Sequence, residues 1–83
     1  MTEEMNLGEI RRTLADRVST ILKASREDSD VSQEKLAKQL GWTRNMIANL
    51  ESGRRVVRFA DFVVIAKALH IEPERLLRRI LQW

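Results

Sequence analysis

Eighty-three residues allow one domain, and a chain this short hides only about 60–65% of its unfolded surface. With no cysteine and a single histidine, neither a disulfide framework nor a zinc site of the usual Cys/His ligands can be built, which leaves self-association as the remaining source of extra stability. The formal charge of +3 is unevenly divided: residues 1–30 carry five Lys/Arg against seven Asp/Glu, and residues 31–83 carry ten against five. A basic C-terminal two-thirds favours a polyanionic partner. The acidic start Met1-Thr2-Glu3-Glu4 leads into no apolar run, and no stretch approaches the roughly 20 apolar residues of a membrane span. A cytoplasmic protein with no membrane partner is expected.

One proline and three glycines punctuate the sequence, and the apolar residues recur at helical spacing, so the chain reads as all-α with five helices in one domain, residues 1–83. In the first segment Leu7, Ile10, Leu14, Val18, Ile21 and Leu22 fall in a stripe about 120° wide, predicting a long first helix. Asn6 followed by Glu9 resembles a capping box that starts it, and the cluster Glu27-Asp28-Ser29-Asp30 ends it. Ser32 can cap a second helix with Leu36, Ala37 and Leu40 inside and Lys35, Lys38 and Gln39 outside; Gly41 stops it.

Thr43 caps a third helix after only Gly41 and Trp42, so the second and third helices cannot run antiparallel and form a tight helix-turn-helix pair over residues 32–52. Ile47, Leu50 and Glu51 cluster on one side of the third helix, Asn45, Ala48 and Asn49 on the other. After Ser52-Gly53, the residues Phe59, Phe62, Ile65, Ala66 and Leu69 predict a fourth helix. Pro73 suits the first turn of a fifth, which carries Leu76, Leu77, Ile80, Leu81 and Trp83 and is expected to run to the last residue.

The linked set Ser32-Gln33-Glu34, Leu36-Ala37, Gly41, Thr43, Ile47, Glu51 and Gly53-Arg54-Arg55, continued by Ala66-Lys67-Ala68-Leu69 and Ile71-Glu72-Pro73, resembles the helix-turn-helix domain of the phage-repressor and Cro-type family, often called Xre. The resemblance covers about residues 17–77 and implies a five-helix DNA-binding fold. It implies that Arg44, Asn45 and Asn49 read bases from the major groove, where arginine matches the two acceptors of guanine and asparagine the acceptor and donor of adenine. Gln33, Thr43, Arg54, Arg55 and Arg58 take the phosphate-contacting positions. Glu51 is a carboxylate on an inner face, costly unless paired. In the family an arginine seven residues before the glutamine pairs with it, which here is Arg26. The sequence departs from the pattern at Asp30, where glycine is usual, at Lys35, where an acidic residue completes a capping box, and at Val57-Arg58, where many members have proline and serine. Its first helix also starts about ten residues early.

Among other residues, Lys35 and Lys38 read as solvated, Met46 as packing or sugar contact, Trp42 as packing, and His70 as a helix-end residue. No catalytic arrangement, metal site or cofactor loop is present, so no enzyme is expected. Helix five spreads its apolar residues over an arc of roughly 160°, wider than one buried face needs. Val64, Leu76, Leu77, Ile80, Leu81 and Trp83 are therefore expected at a dimer interface, with the first helix's N-terminal portion as a competing surface. The expected function is a transcriptional regulator, a repressor binding a palindromic operator in double-stranded DNA as a homodimer. The alternatives are the antitoxin of a toxin–antitoxin operon, and a protein-interaction module that has lost DNA binding; a toxin or an antirepressor is the expected protein partner.

Overall fold

The computed structural model describes residues 4–82, which form five α-helices: α1 (Leu7–Asp28), α2 (Gln33–Leu40), α3 (Arg44–Ser52), α4 (Phe59–Ala68) and α5 (Pro73–Leu81). There is no strand among the described residues. Nor is any helix long and apolar enough to cross a membrane.

Local chemistry sets most of the boundaries. At the start of α1 the Asn6 side-chain Oδ1 accepts the Glu9 N–H at 2.8 Å, and Asn6 Nδ2 donates back to the Glu9 carboxylate at 2.7 Å. The capping box thus closes through the asparagine side chain. Ser32 Oγ accepts the Lys35 N–H at 3.0 Å and Thr43 Oγ1 the Met46 N–H at 3.2 Å, each satisfying a donor that the first helical turn leaves unpaired. Helix ends are equally local. Gly41 turns left-handed at φ 71°, a conformation that costs a residue without Cβ little, and the Trp42 N–H then reaches the Ala37 carbonyl at 2.8 Å. Asp30 (φ 56°) and His70 (φ 60°) make the same excursion after α1 and α4, with Val31 donating to Arg26 and Ile71 to Ala66. Asp30 takes the left-handed geometry without glycine, as a short polar side chain permits.

Leu22 of α1, Leu36 and Ala37 of α2, Ile47 and Leu50 of α3, Phe62, Ile65 and Ala66 of α4, and Leu76 and Ile80 of α5 make one core. Within it α2 packs on α3 and on α4, while α1 lies beneath α3 and α5. α4 and α5 close the side away from α3. Ile47 and Leu50 anchor α3 from its inner side, so its other side is free.

Two polar ties fasten α5 to α1. Arg17 donates from Nε to the Ile80 carbonyl at 2.7 Å and from Nη2 to the carbonyls of Arg79 (2.9 Å) and Gln82 (2.6 Å), collecting acceptors that the end of a helix leaves unpaired. Arg79 Nη1 donates to Ser25 Oγ at 3.0 Å, so Ser25 is a buried contact between helices and not a boundary residue.

These ties account for differences from the sequence reading. The fifth helix ends at Leu81, because Gln82 is extended and turns its carbonyl to Arg17; Trp83 lies outside the described residues. Leu76 and Ile80, expected at a dimer interface, are buried in the protein's own core. The rotation of α5 fixed by Arg17 and Arg79 turns them inward and leaves Leu77 and Leu81 outside. Phe59, expected on the inner face of α4, is 78% exposed, since it opens the helix ahead of the turn that docks through Phe62. Replacing Arg17 by alanine is expected to cost about 2 kcal/mol, from lost charge-assisted bonds at a helix C-terminus. In thermal denaturation this is a fall of about 8–16 °C in Tm for a chain of this size. Lysine, a single point donor, is expected to recover only part of it.

Candidate nucleic-acid interface

α3 is presented by its two ends. At its start the connection from α2 is Gly41-Trp42, with Trp42 half-buried against the core, and Thr43 caps the first turn. At its far end Glu51 is tied down on the inner side. Between them Arg44 and Asn45 are exposed and Asn49 is half-buried. Asn45 and Asn49, four residues apart, lie one above the other on one side of the helix. Among the described residues the side chains of Arg44, Asn45 and Asn49 make no hydrogen bond, although each carries donors, and the asparagines carry an acceptor as well. At the leading end of α3, Thr43, Arg44 and Asn45 are all exposed.

The anchor is a buried network. Arg26, late in α1, grips Glu51 in the two-pronged manner, Nε to Oε2 at 2.6 Å and Nη2 to Oε1 at 3.0 Å, with both side chains under a tenth exposed (9% and 6%). Its remaining arm, Nη1, donates to the Val31 carbonyl at 2.7 Å in the turn between α1 and α2. Gln33, at the first position of α2, donates from Nε2 to Glu51 Oε1 at 2.9 Å. One carboxylate therefore binds α1, α2 and α3 together. The hydrogen bond to Glu51 raises the Arg26 pKa above its ordinary value, against the opposing effect of burial. A pKa raised in the folded state gives stability that is fully present below the unfolded value and lost only as pH climbs through the folded one. For an arginine that window lies at the alkaline extreme, so Arg26 stays charged through the neutral range.

The other expected contact residues lie around this core of the site. Gln33 is half-buried, its amide turned toward Glu51 rather than fully outward. Thr43 is exposed beside the start of α3. Arg54, Arg55 and Arg58 are all exposed in the segment between α3 and α4, and the Arg55 N–H folds that segment back onto the Asn49 carbonyl at 3.1 Å. The loop is thus held against the end of α3 although Val57 and Arg58 replace the usual proline and serine; Arg58 precedes α4 with no side-chain cap. Lys35 and Lys38 are exposed, and Met46 is half-buried. The sequence reading missed the Val31 carbonyl as Arg26's third partner, and no side-chain pattern reveals a backbone acceptor.

A family model described as a helix-turn-helix domain matches residues 17–79. The chain belongs to the helix-turn-helix family. The match takes in the inner part of α1, the α2–α3 pair and all but the last residues of α5, so the whole arrangement around Glu51 falls inside it. α3 is the second helix of that pair. Residues 7–16, the outer part of α1, lie outside the family's extent. Among curated proteins the comparison returns no match.

Breaking the helix-turn-helix anchor from one side leaves the other charge stranded. Glu51→Ala is expected to lose about 3–5 kcal/mol of stability in urea unfolding, whereas Arg26→Met with Glu51→Leu, which removes both charges and keeps apolar bulk, is expected to regain most of it.

Proposed function

We propose that the protein is a sequence-specific DNA-binding transcriptional regulator, a repressor that sits on a palindromic operator as a homodimer in the cytoplasm. The observation that carries this reading is the exposed leading end of α3, where the side chains of Arg44, Asn45 and Asn49 make no hydrogen bond among the described residues, on a helix whose other end is locked by Glu51. A major groove about 12 Å wide takes one α-helix. Arg44 pairs with guanine O6 and N7; Asn45 and Asn49 present the donor and acceptor that adenine requires.

Around that helix, Thr43, Arg54, Arg55 and Arg58 approach phosphates, and Gln33 does so with the N–H of its amide that Glu51 does not use. The excess of five positive charges over residues 31–83 supplies attraction that is independent of sequence and weakens with salt. Two-fold operators are read by two-fold proteins, and the exposed part of the α4–α5 side, Val64, Leu77 and Leu81, offers apolar surface for a second copy. Repression follows when the bound dimer covers a promoter.

Selection of binding duplexes from a random-sequence pool tests the reading. A symmetric consensus is expected. Asn45→Ala and Asn49→Ala should each lose about 1–3 kcal/mol of discrimination at one base position per half-site while retaining non-specific binding. Arg54→Ala and Arg55→Ala should weaken all duplexes alike and each reduce the salt slope by about one. A pool with no enriched sequence contradicts the proposal.

A further inference from the structure

The outer part of α1 is the least explained element of the fold. α1 has 22 residues, about 33 Å of helix, yet its first buried residue is Ser19. Its outer turns carry an apolar stripe that the fold only partly uses: Leu7 is 84% exposed and Ile10 is half-buried, while Leu14, further along the same side at the three- and four-residue spacing, already packs on the edge of the core. This segment is also the part of the helix beyond the family's extent.

The next residue on the stripe is Val18, and Val18 lines a groove. Phe59 and Phe62 of α4 and Leu77 of α5 form its floor and walls, with Val18 and Val57 at one end and Val63 toward the other. The two halves of the groove, about 260 and 360 Å³, share Phe59, Phe62 and Leu77, so they are continuous. A ridge whose outer end, Leu7 and Ile10, lies beyond the core and a groove without a ridge therefore adjoin on one chain and meet at Val18.

We infer that the groove between α4 and α5 receives the outer part of α1 from a second copy of this chain, each protomer's Leu7 and Ile10 seated against the other's Phe59 and Leu77. The juxtaposition itself selects a second copy. When a ridge and its complementary groove lie side by side, a two-fold axis at their junction brings each onto the other's counterpart, which makes one closed interface that contains both contacts twice. Charge agrees. The groove is bordered by Arg58, Lys67 and Glu74, and the outer part of α1 bears Glu9, Arg11, Arg12 and Asp16. Both surfaces are of mixed sign, which suits each other and does not suit a uniformly charged partner such as a duplex or an acidic peptide. Leu7, Phe59 and Leu77, otherwise exposed, are buried together.

This inference rests on the homodimeric reading above, and the test separates the two. The chain has no cysteine, so introduced thiols report alone. A Leu7→Cys chain is mixed with a Leu77→Cys chain and treated with a short bis-maleimide, with and without a selected duplex. The mixed arm-to-groove dimer is expected to form at least about tenfold faster than either same-site dimer, because the interface holds those thiols at millimolar effective concentration. Leu7→Asp, at a position outside the core, is expected to weaken dimerisation in sedimentation about tenfold or more with Tm of the dilute monomer unchanged. Dominant Leu77–Leu77 products mean that helix five faces itself, which overturns the exchange and leaves the homodimer standing. A chain that remains monomeric with and without duplex overturns both. Protection of the groove only when another protein is added overturns the exchange in favour of a partner. Selective duplex binding is judged independently by the pool selection.

Discussion

The carboxylate of Glu51 is the point on which the helix pair turns. It lies on the inner side of α3, where water is excluded, and it is acceptable there only because Arg26 and Gln33 occupy its oxygens. Buried pairs of this kind contribute less to net stability than well-packed apolar residues can, because both charges lose their hydration. What the pair contributes is position. Three helices whose shared core is built from apolar side chains such as Leu22, Leu36, Ala37, Ile47 and Leu50 are joined at one place by directional bonds, and a displacement of any of them breaks a bond to a charged group.

That constraint has a consequence for the opposite end of α3. A short helix held along its inner side by Ile47 and Leu50 and at its end by Glu51 has little freedom to roll or slide, so the directions of Arg44, Asn45 and Asn49 are set by residues that themselves face inward. Bidentate recognition of a base edge depends on such fixed directions, since a donor–acceptor pair misaligned by a fraction of its bond length loses its discrimination. Stability is carried by one side of the helix, and the proposed reading of bases falls to the other.

The legible parts of the fold were those set by neighbours in sequence. Asn6, Ser32 and Thr43 cap the helices they precede, and Gly41 turns the chain where the periodicity stops, because each acts within one helical turn of itself. Glu51 was equally legible for a different reason: an acid among Ile47 and Leu50 demands a cation, and Arg26 stands where the resemblance sets one. The division of α5 was not legible. Its apolar arc contains more residues than one side can bury, and which of them turn inward depends on Arg17 and Arg79 reaching across from and to α1, contacts more than fifty residues apart in sequence. Phe59 failed in the same way: the periodicity of α4 includes it, but the helix begins to touch the core one turn later.

The central claim is that the leading end of α3 enters a duplex. It is tested most directly by following backbone amide resonances while a selected duplex is added. The account predicts that the largest shifts fall on residues 43–49, with smaller ones at Ser32–Gln33 and along 54–58, while α4 and α5 change only where protomers meet. Shifts confined to α4 and α5, with Arg44, Asn45 and Asn49 unmoved at saturating duplex, would contradict it.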